Sequence, residues 1–411
     1  MSSTSPRQID LDVLVIGGGV AGLWTLDTLL AGGHHAGLVE CSALGEGQTI
    51  CAQGILHGGV KYSLNGLLDP GSRKIAGMPA RWLESIDGPE RPRLQDISVR
   101  TRACHLWRTD SMKSIISMAG AKLALQVRPT KIGREQRPAV LARCPGDVAL
   151  LPELVVETPT LLAALASRHS DRILAGRVTA GDAVTEPGPG FLLHVEIDGA
   201  APVHIRADRV VVTAGAGAGE LLERLLPDEE SRRPPMQRRP LHMAMVRGAP
   251  DHLPELNGHC VDGAATRVTI TSSTASDGDR VWQLGGELAE SGCARDPGDQ
   301  IRAAMDCLTE VLPGFDAGDV RLRWATYHVD RAEAAQHPEG RGRRLKRPED
   351  ATVTRTGALV VAWPTKMVLA PRCAELVADE LGRGSGVGEP PFAELPTPRV
   401  ATPPWETATW S

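Results

Sequence analysis

Tyrosine and phenylalanine are nearly missing from this chain: two and three among 411 residues, beside eight tryptophans. So few rings leave little material for aromatic platforms that bind bases or sugars. The eight cysteines are Cys41, Cys51, Cys104, Cys144, Cys260, Cys293, Cys307 and Cys373, with no CxxC pair among them. None has a histidine at metal-ligand spacing, so no metal site is expected. Scattered thiols in a chain without a visible leader read as reduced, mostly buried residues of a cytoplasmic protein. The polar start MSSTSPRQID leads straight into a strand, and no run approaches the ~20 apolar residues that span a bilayer. No transmembrane segment is therefore expected, which leaves peripheral association open. A net charge of −5 argues against a general nucleic-acid or anionic-membrane binder. No internal repeat, Ser/His/Asp set or paired-carboxylate signature is visible.

With 42% hydrophobic and 23% charged residues, the composition is that of an ordinary globular protein. Its length suits two domains rather than one small core. The segment Val13 to Glu40, VLVIGGGVAGLWTLDTLLAGGHHAGLVE, contains a complete nucleotide-binding unit. An apolar strand (Val13, Leu14, Val15, Ile16) meets Gly17, Gly19 and Gly22, then a helix and a second strand closing on Glu40. Gly17 makes the tight turn, Gly19 lets backbone approach a pyrophosphate, and Gly22 lets helix and strand pack closely. Unpaired N–H groups at the helix start, helped by its dipole, receive the diphosphate. Glu40 stands where an acid accepts hydrogen bonds from the adenosine ribose. The fingerprint alone does not separate NAD from FAD.

Strand and helix patterns then alternate. A helix is expected over Arg73 to Ile86, a strand over Ile97–Arg108, and a helical stretch around Met112, Ile115 and Ile116. The α/β pattern returns with LPELVVETPTLLAALASRH and RILAGRV. A hairpin of Phe191–Ile197 with Val203–Ile205 leads into ADRVVVTAGAGAGELLERLL, a strand, Gly/Ala turn and helix that either touches cofactor at Gly215 or is a plain crossover. Between Pro234 and Trp324, LHMAMVRG, TRVTITSS and RVWQLGG look antiparallel, with one helix at Ile301–Leu312. The last unit, TGALVVAWPTKMVLAPRCAELVADEL, is a strand, a sharp turn at Pro364 and a helix. The Gly- and Pro-rich tail beyond it reads as loosely ordered. The fold expected is α/β: a Rossmann-like nucleotide-binding domain interleaved with a substrate domain on a mainly antiparallel sheet. The expected division is 10–90, 150–230 and 325–385 for the first, 91–149 and 231–324 for the second, and 386–411 for the tail.

That weave, with GQTICAQGILHGGVKY after the first βαβ unit, resembles the FAD-dependent D-amino-acid oxidase superfamily. The local match is nearest the glycerol-3-phosphate dehydrogenase and L-2-hydroxyglutarate dehydrogenase branches, carried by Gln53, Gly54, Ile55, Leu56, His57, Gly58, Gly59, Val60, Lys61 and Tyr62. It covers about 11–66, 150–225 and 352–382 and is only topological across the substrate domain. Independently, a second glycine-rich loop soon after Glu40 lets main chain pass close to a flat ring, which favours FAD over NAD. Cofactor contacts are then expected from Gly17, Gly19, Gly22, Glu40, Gln48, Thr49, Gln53, Gly54, His57, Gly58, Gly215 and Lys366.

The resemblance implies that His57 sits near the isoalloxazine ring, where it contacts flavin or substrate or acts as base; the plain reading is a loop hydrogen bond. Lys61 replaces an arginine common in glycerol-3-phosphate dehydrogenases, which puts that substrate in doubt. Arg331, in RWATYHVDRAEA, matches the family's substrate-anchoring arginine, its guanidinium suited to carboxylate or phosphate; the alternative is a salt bridge to Asp330 or Glu333. Tyr327 and His328 are neighbouring candidates. Where amino-acid oxidases carry a glycine-rich run, this chain has Trp363, Pro364, Thr365, Lys366 and Met367. Lys366 and the helix start there could stabilise negative charge at flavin N1 and O2, or Lys366 could be an exposed lysine. His242, His259 and Cys260 read as core or surface, and Arg341–Arg347 as a solvated basic loop. Together His57, Arg331 and Lys366 form the expected catalytic set. The implied activity is oxidation of a small anionic substrate at a C–H beside a hydroxyl, by hydride transfer to flavin N5. An unidentified acceptor (oxygen, a quinone or a protein) would reoxidise the flavin. The alternatives are amine or amino-acid oxidation, or an FAD-binding partner or scaffold with a degraded site.

Overall fold

The computed structural model describes residues 7–58, 77–109, 129–184, 188–226, 233–262, 265–335, 348 and 350–411. The fingerprint strand runs over Arg7–Ile16, inside an eight-stranded sheet. It pairs in parallel with Ala36–Glu40 on one side and Val203–Val212 on the other. Val13 and Val15 face one core while Leu14 and Ile16 face another. Burial on both faces is why this run is continuously apolar rather than alternating. Ile173–Ala175 extends the sheet past Ala36–Glu40. Val203–Val212 is shared on its far edge: its first half takes the hairpin strand Gly190–Glu196, its last residues the parallel strand Leu359–Trp363. Helices Val20–Ala31, Thr158–Ser167 and Ala370–Leu381 cover one face; Ala218–Leu225 covers part of the other.

The second eight-stranded sheet runs in the order Arg323–Ala334, Met236–Gly248, Arg280–Gly285, Ala265–Thr274, Gly258–Asp262, Cys104–Arg108, Val148–Leu151, Thr130–Ile132. Every neighbouring pair is antiparallel except Gly258–Asp262 with Cys104–Arg108. Arg323–Ala334 pairs with Met236–Gly248 along its length, which carries this sheet past residue 324; no turn residue interrupts RWATYHVDRAEA there. The helix expected from Ile301 begins earlier, over Pro297–Val311. Its start is set by Asp296, whose carboxylate accepts from Asp299 N at 2.7 Å, and by proline in the first turn.

The single strand expected over Ile97–Arg108 is instead two. Val99–Thr101 pairs with Leu154–Val156 in a small three-stranded sheet that also holds Ile55–Leu56, while Cys104–Arg108 joins the large second sheet. The small sheet matters because it brings His57 alongside Glu153. The described part of the expected Arg73–Ile86 helix spans Met78–Ile86. Lys61, Tyr62, the stretch around Met112, Ile115 and Ile116, and Arg341–Arg347 lie outside the described residues.

The expectation of a loosely ordered tail is overturned. Phe392, one of three phenylalanines in the chain, is buried against Gly37, where a Cβ would stand 2.6 Å from its ring. Pro396 O accepts from Ala175 N at 2.7 Å, and Leu44 bridges Val400. Trp405 is buried in a cluster with Met245, and Ser411 exchanges two backbone hydrogen bonds with Trp324. Prolines remove backbone donors, but apolar rings spaced along the segment still bury enough surface to hold it across both sheets.

Asp27, on the helix after the fingerprint, is buried and bonded to His169 Nε2 at 2.9 Å and Arg91 Nη2 at 3.0 Å. Burial alone would raise its carboxyl; hydrogen bonds and charge from His169 and Arg91 outweigh that and lower it below 3.8. Its folded value is depressed, so its stabilisation is complete above the unfolded value and is lost as pH falls through the folded one. Asp27→Asn is expected to cost about 3 kcal/mol near neutral pH, and a smaller difference from wild type is expected in acid. Urea melts at pH 7 and pH 3 check this: an equal difference at both would refute the ionic account.

Candidate active site

A cavity of about 570 Å³ opens at the carboxyl ends of the parallel strands, lined by Gly17, Gly19, Glu40, Gln48, Thr49 and Gly215 among others. This is where ligands sit in open α/β sheets. Gly17 has φ of +115°, and Gly22 lies so close to it that a Cβ would stand 1.9 Å from Gly17 O. Gly19 precedes the helix as its N-cap and offers no side chain; Thr49 Oγ1 accepts from Val20 N at 3.3 Å. The rest of the first turn is left to an anion. Glu40 lines the cavity while accepting from Gly18 N at 2.6 Å and Ser42 N at 2.9 Å. Gly215, at φ +53°, has nothing within 4 Å of where a Cβ would be.

A smaller chamber of about 190 Å³ adjoins it, sharing Gln48, Cys51, Ala52, Val329 and Met367 as walls. All three expected catalytic residues, His57, Arg331 and Lys366, line this chamber. His57 Nδ1 is 3.5 Å from Glu153 Oε2. Glu153, 1% exposed, also accepts from Gly58 N at 3.0 Å and is 3.1 Å from His259 Nε2. The other nitrogen of His259 is 3.1 Å from Thr269 Oγ1. Burial alone would raise the Glu153 carboxyl, but the charge of His57 and the hydrogen bond from His259 hold it well below the usual carboxylate range.

Arg331 Nη2 pairs with Glu290 at 3.0 Å. In the register, Asp330 points to Arg238, and the fully buried Glu333 takes both arms of Arg239, at 2.8 and 2.6 Å. Lys366 is buried, 7% exposed, which overturns the reading of an exposed lysine. It follows Thr365, the one described non-glycine residue with positive φ, at +62°. A β-branched residue pays strain in that region, so a turn that glycine would make freely is held here by its surroundings. Tyr327 donates to Cys51 O at 3.0 Å and accepts from Gln283, and burial pushes its hydroxyl well up. His328 lines the larger cavity and stacks on the buried His242 at 3.9 Å.

Gln53 and Gly54 line the chamber rather than the larger cavity. The Gln53 amide is spent on Thr269 O and Gln283 O at 3.0 and 2.9 Å, which pins the loop to the second sheet. Gly54, at φ +78°, is required because a Cβ would lie 2.1 Å from Val156 O. Gly58 serves Glu153 through its N–H.

Residues 12–379 match the FAD dependent oxidoreductase family, DAO. The chain belongs to that family. It is 38% identical to a probable FAD-dependent oxidoreductase of Pseudomonas aeruginosa, over 98% of this chain and 99% of that one. The crystal structure of that FAD-dependent oxidoreductase superposes with a TM-score of 0.77 at 35% identity, covering 98% of this chain and 99% of that chain. L-alpha-glycerophosphate oxidase from Mycoplasma pneumoniae, solved with FAD bound, shares the fold at a TM-score of 0.64 and 12% identity, over 94% of this chain and 98% of that one. Glycine oxidase from Geobacillus kaustophilus does so at 0.60 and 19%, over 94% and 99%.

The protein is thus an FAD-dependent oxidoreductase, and the larger cavity fits that cofactor. Its glycine cradle would be filled by any Cβ at Gly17 or Gly22. Trp363 lines the same cavity, and its buried Nε1 has no hydrogen-bond partner among the described residues. Several site residues escaped the sequence reading. Glu153 lies between apolar residues in LPELVV, and an acid inside an apolar run is the signal that could have flagged it. Thr213, whose Oγ1 donates to Gly17 O at 2.9 Å, and Arg177 and Val178, which line the cavity, carry no such mark. No helix among the described residues is long and apolar enough to cross a membrane.

Proposed function

We propose that this oxidoreductase oxidises a small anionic substrate at a C–H beside a hydroxyl, a 2-hydroxy acid or a polyol phosphate. FAD, when bound, supplies the two-electron acceptor, taking hydride at flavin N5. The observation carrying this reading is His57 on the chamber wall with the buried Glu153 carboxylate 3.5 Å behind it. A hydroxyl gives up its proton far less readily than an ammonium, so oxidation beside a hydroxyl needs a positioned base. His57 takes the hydroxyl proton as hydride leaves the adjacent carbon, which leaves a carbonyl product. Glu153 stabilises the imidazolium so formed. Arg331 holds the substrate's carboxylate or phosphate in competition with Glu290, and the buried Lys366 adds positive charge to the same chamber.

Glu290 supports a second reading. A carboxylate beside Arg331 could receive an ammonium while the guanidinium receives a carboxylate, as amino-acid oxidation would require. Anaerobic mixing of the holoenzyme with hydroxy acids, glycerol 3-phosphate and amino acids separates the two. A hydroxy compound is expected to bleach the flavin, and Arg331→Ala should raise its half-saturating concentration at least ~10-fold with FAD still bound. Faster bleaching by an amino acid would replace the first reading with the second. No bleaching by any of them would sink both.

A further inference from the structure

We propose that His57, Glu153 and His259 also form a binding site for a zinc ion, whose occupancy takes His57 out of proton transfer. The site itself stands on geometry; only its inhibitory consequence rests on the role given to His57 above. Glu153 Oε2 is 3.1 Å from His259 Nε2 and 3.5 Å from His57 Nδ1, and all three donors lie within 4.8 Å of one another. Tetrahedral zinc with bonds of ~2.0–2.1 Å sets its ligand atoms roughly 3.3–3.4 Å apart, which the two spacings to Glu153 already match, and the two imidazoles close on the ion by rotating toward each other.

Two further observations point the same way. The distal atoms of the ligands are already held: His259 Nδ1 by Thr269 Oγ1 at 3.1 Å, and Glu153 Oε1 by Gly58 N at 3.0 Å. Such outer partners orient metal ligands and fix which nitrogen is available. Glu153 is also a buried carboxylate with no lysine or arginine paired to it among the described residues. A buried anion calls for a cation, either a proton on a neighbouring imidazole or a metal ion. Two imidazoles and a carboxylate suit zinc, whereas calcium and magnesium take oxygen ligands. His57 lines the chamber, while its Nδ1 is buried and faces Glu153 behind the chamber wall. Arg331 and Lys366 line the same chamber and oppose a further cation, so the site is weaker than the same three ligands alone would make it.

The test uses the FAD-loaded protein, stripped with chelator, incubated with micromolar zinc and freed of excess by gel filtration. About one zinc per chain is expected, with FAD content unchanged and a zinc-edge X-ray absorption spectrum showing nitrogen and oxygen ligands without sulfur. His259→Gln and Glu153→Gln should each retain at least ~10-fold less zinc. Zinc far below one per chain, sulfur ligation by cysteine, or unchanged retention in both variants would overturn the site. If neither variant folds, the wild-type absorption edge decides. Metal content is read without substrate, so its failure is distinct from failure of the proposed reaction. With a reducing substrate in hand, equal flavin reduction rates for zinc-loaded and zinc-free protein would remove the inhibitory role.

Discussion

Replacing Glu153 with glutamine slows substrate reduction of the flavin by roughly 10²–10³-fold while FAD stays bound. The size follows from the distance. An imidazolium on His57 and the Glu153 carboxylate stand 3.5 Å apart, which at an effective dielectric of ~20 bounds their attraction at about 5 kcal/mol. General base catalysis contributes typically 10²–10⁴-fold, and the variant keeps the imidazole but loses the charge that favours its protonated form. Glu153 is absent from the described chamber lining, so the substrate dissociation constant should change little. Anaerobic stopped-flow over a range of substrate concentrations reads both quantities. A limiting rate equal to wild type would take Glu153 out of the mechanism. A raised dissociation constant with an unchanged rate would make it a substrate-binding group instead.

Gly22→Ala should yield no FAD-bound protein, and any folded fraction should be destabilised by roughly 3–5 kcal/mol. Its Cβ would stand 1.9 Å from Gly17 O and 2.7 Å from Thr213 Oγ1, and the first of these is backbone. Helix and strand would have to separate where Gly17, at φ +115°, already turns tightly, and the helix start would leave its place beside the cavity. Gly188→Ala is the matched control, since nothing lies within 4 Å of the Cβ it adds. Absorbance at the flavin band after gel filtration, with a thermal melt, checks both. A yellow Gly22→Ala protein of wild-type stability would contradict the packing argument.

The fingerprint was legible because each of its parts acts over a few residues. Strand, tight turn and helix start are local, and Glu40 follows on the adjacent strand. Patterns of apolar residues likewise marked most strands and helices, since burial on one face or two leaves a local period. The second loop was legible as a glycine-rich motif, but its internal roles were not. Nothing in the motif shows that the Gln53 amide donates to Thr269 O and Gln283 O, more than two hundred residues later. The tail was misread because proline and glycine content describes backbone preference and not the burial of Phe392 and Trp405.

By itself, then, the sequence determined the α/β architecture, a glycine cradle for a dinucleotide and the preference for FAD, all of which rest on short-range backbone geometry. Tertiary structure alone decided the chemistry around it. Arg331 meets Glu290 because two elements 41 positions apart are brought together at the chamber. Lys366 is buried directly after the positive-φ turn at Thr365, a placement that no local pattern marks. Glu153 reaches Gly58 across 95 positions and His259 across 106, separations that no spacing motif encodes. They are set by which strands pair, and pairing is a property of the whole core.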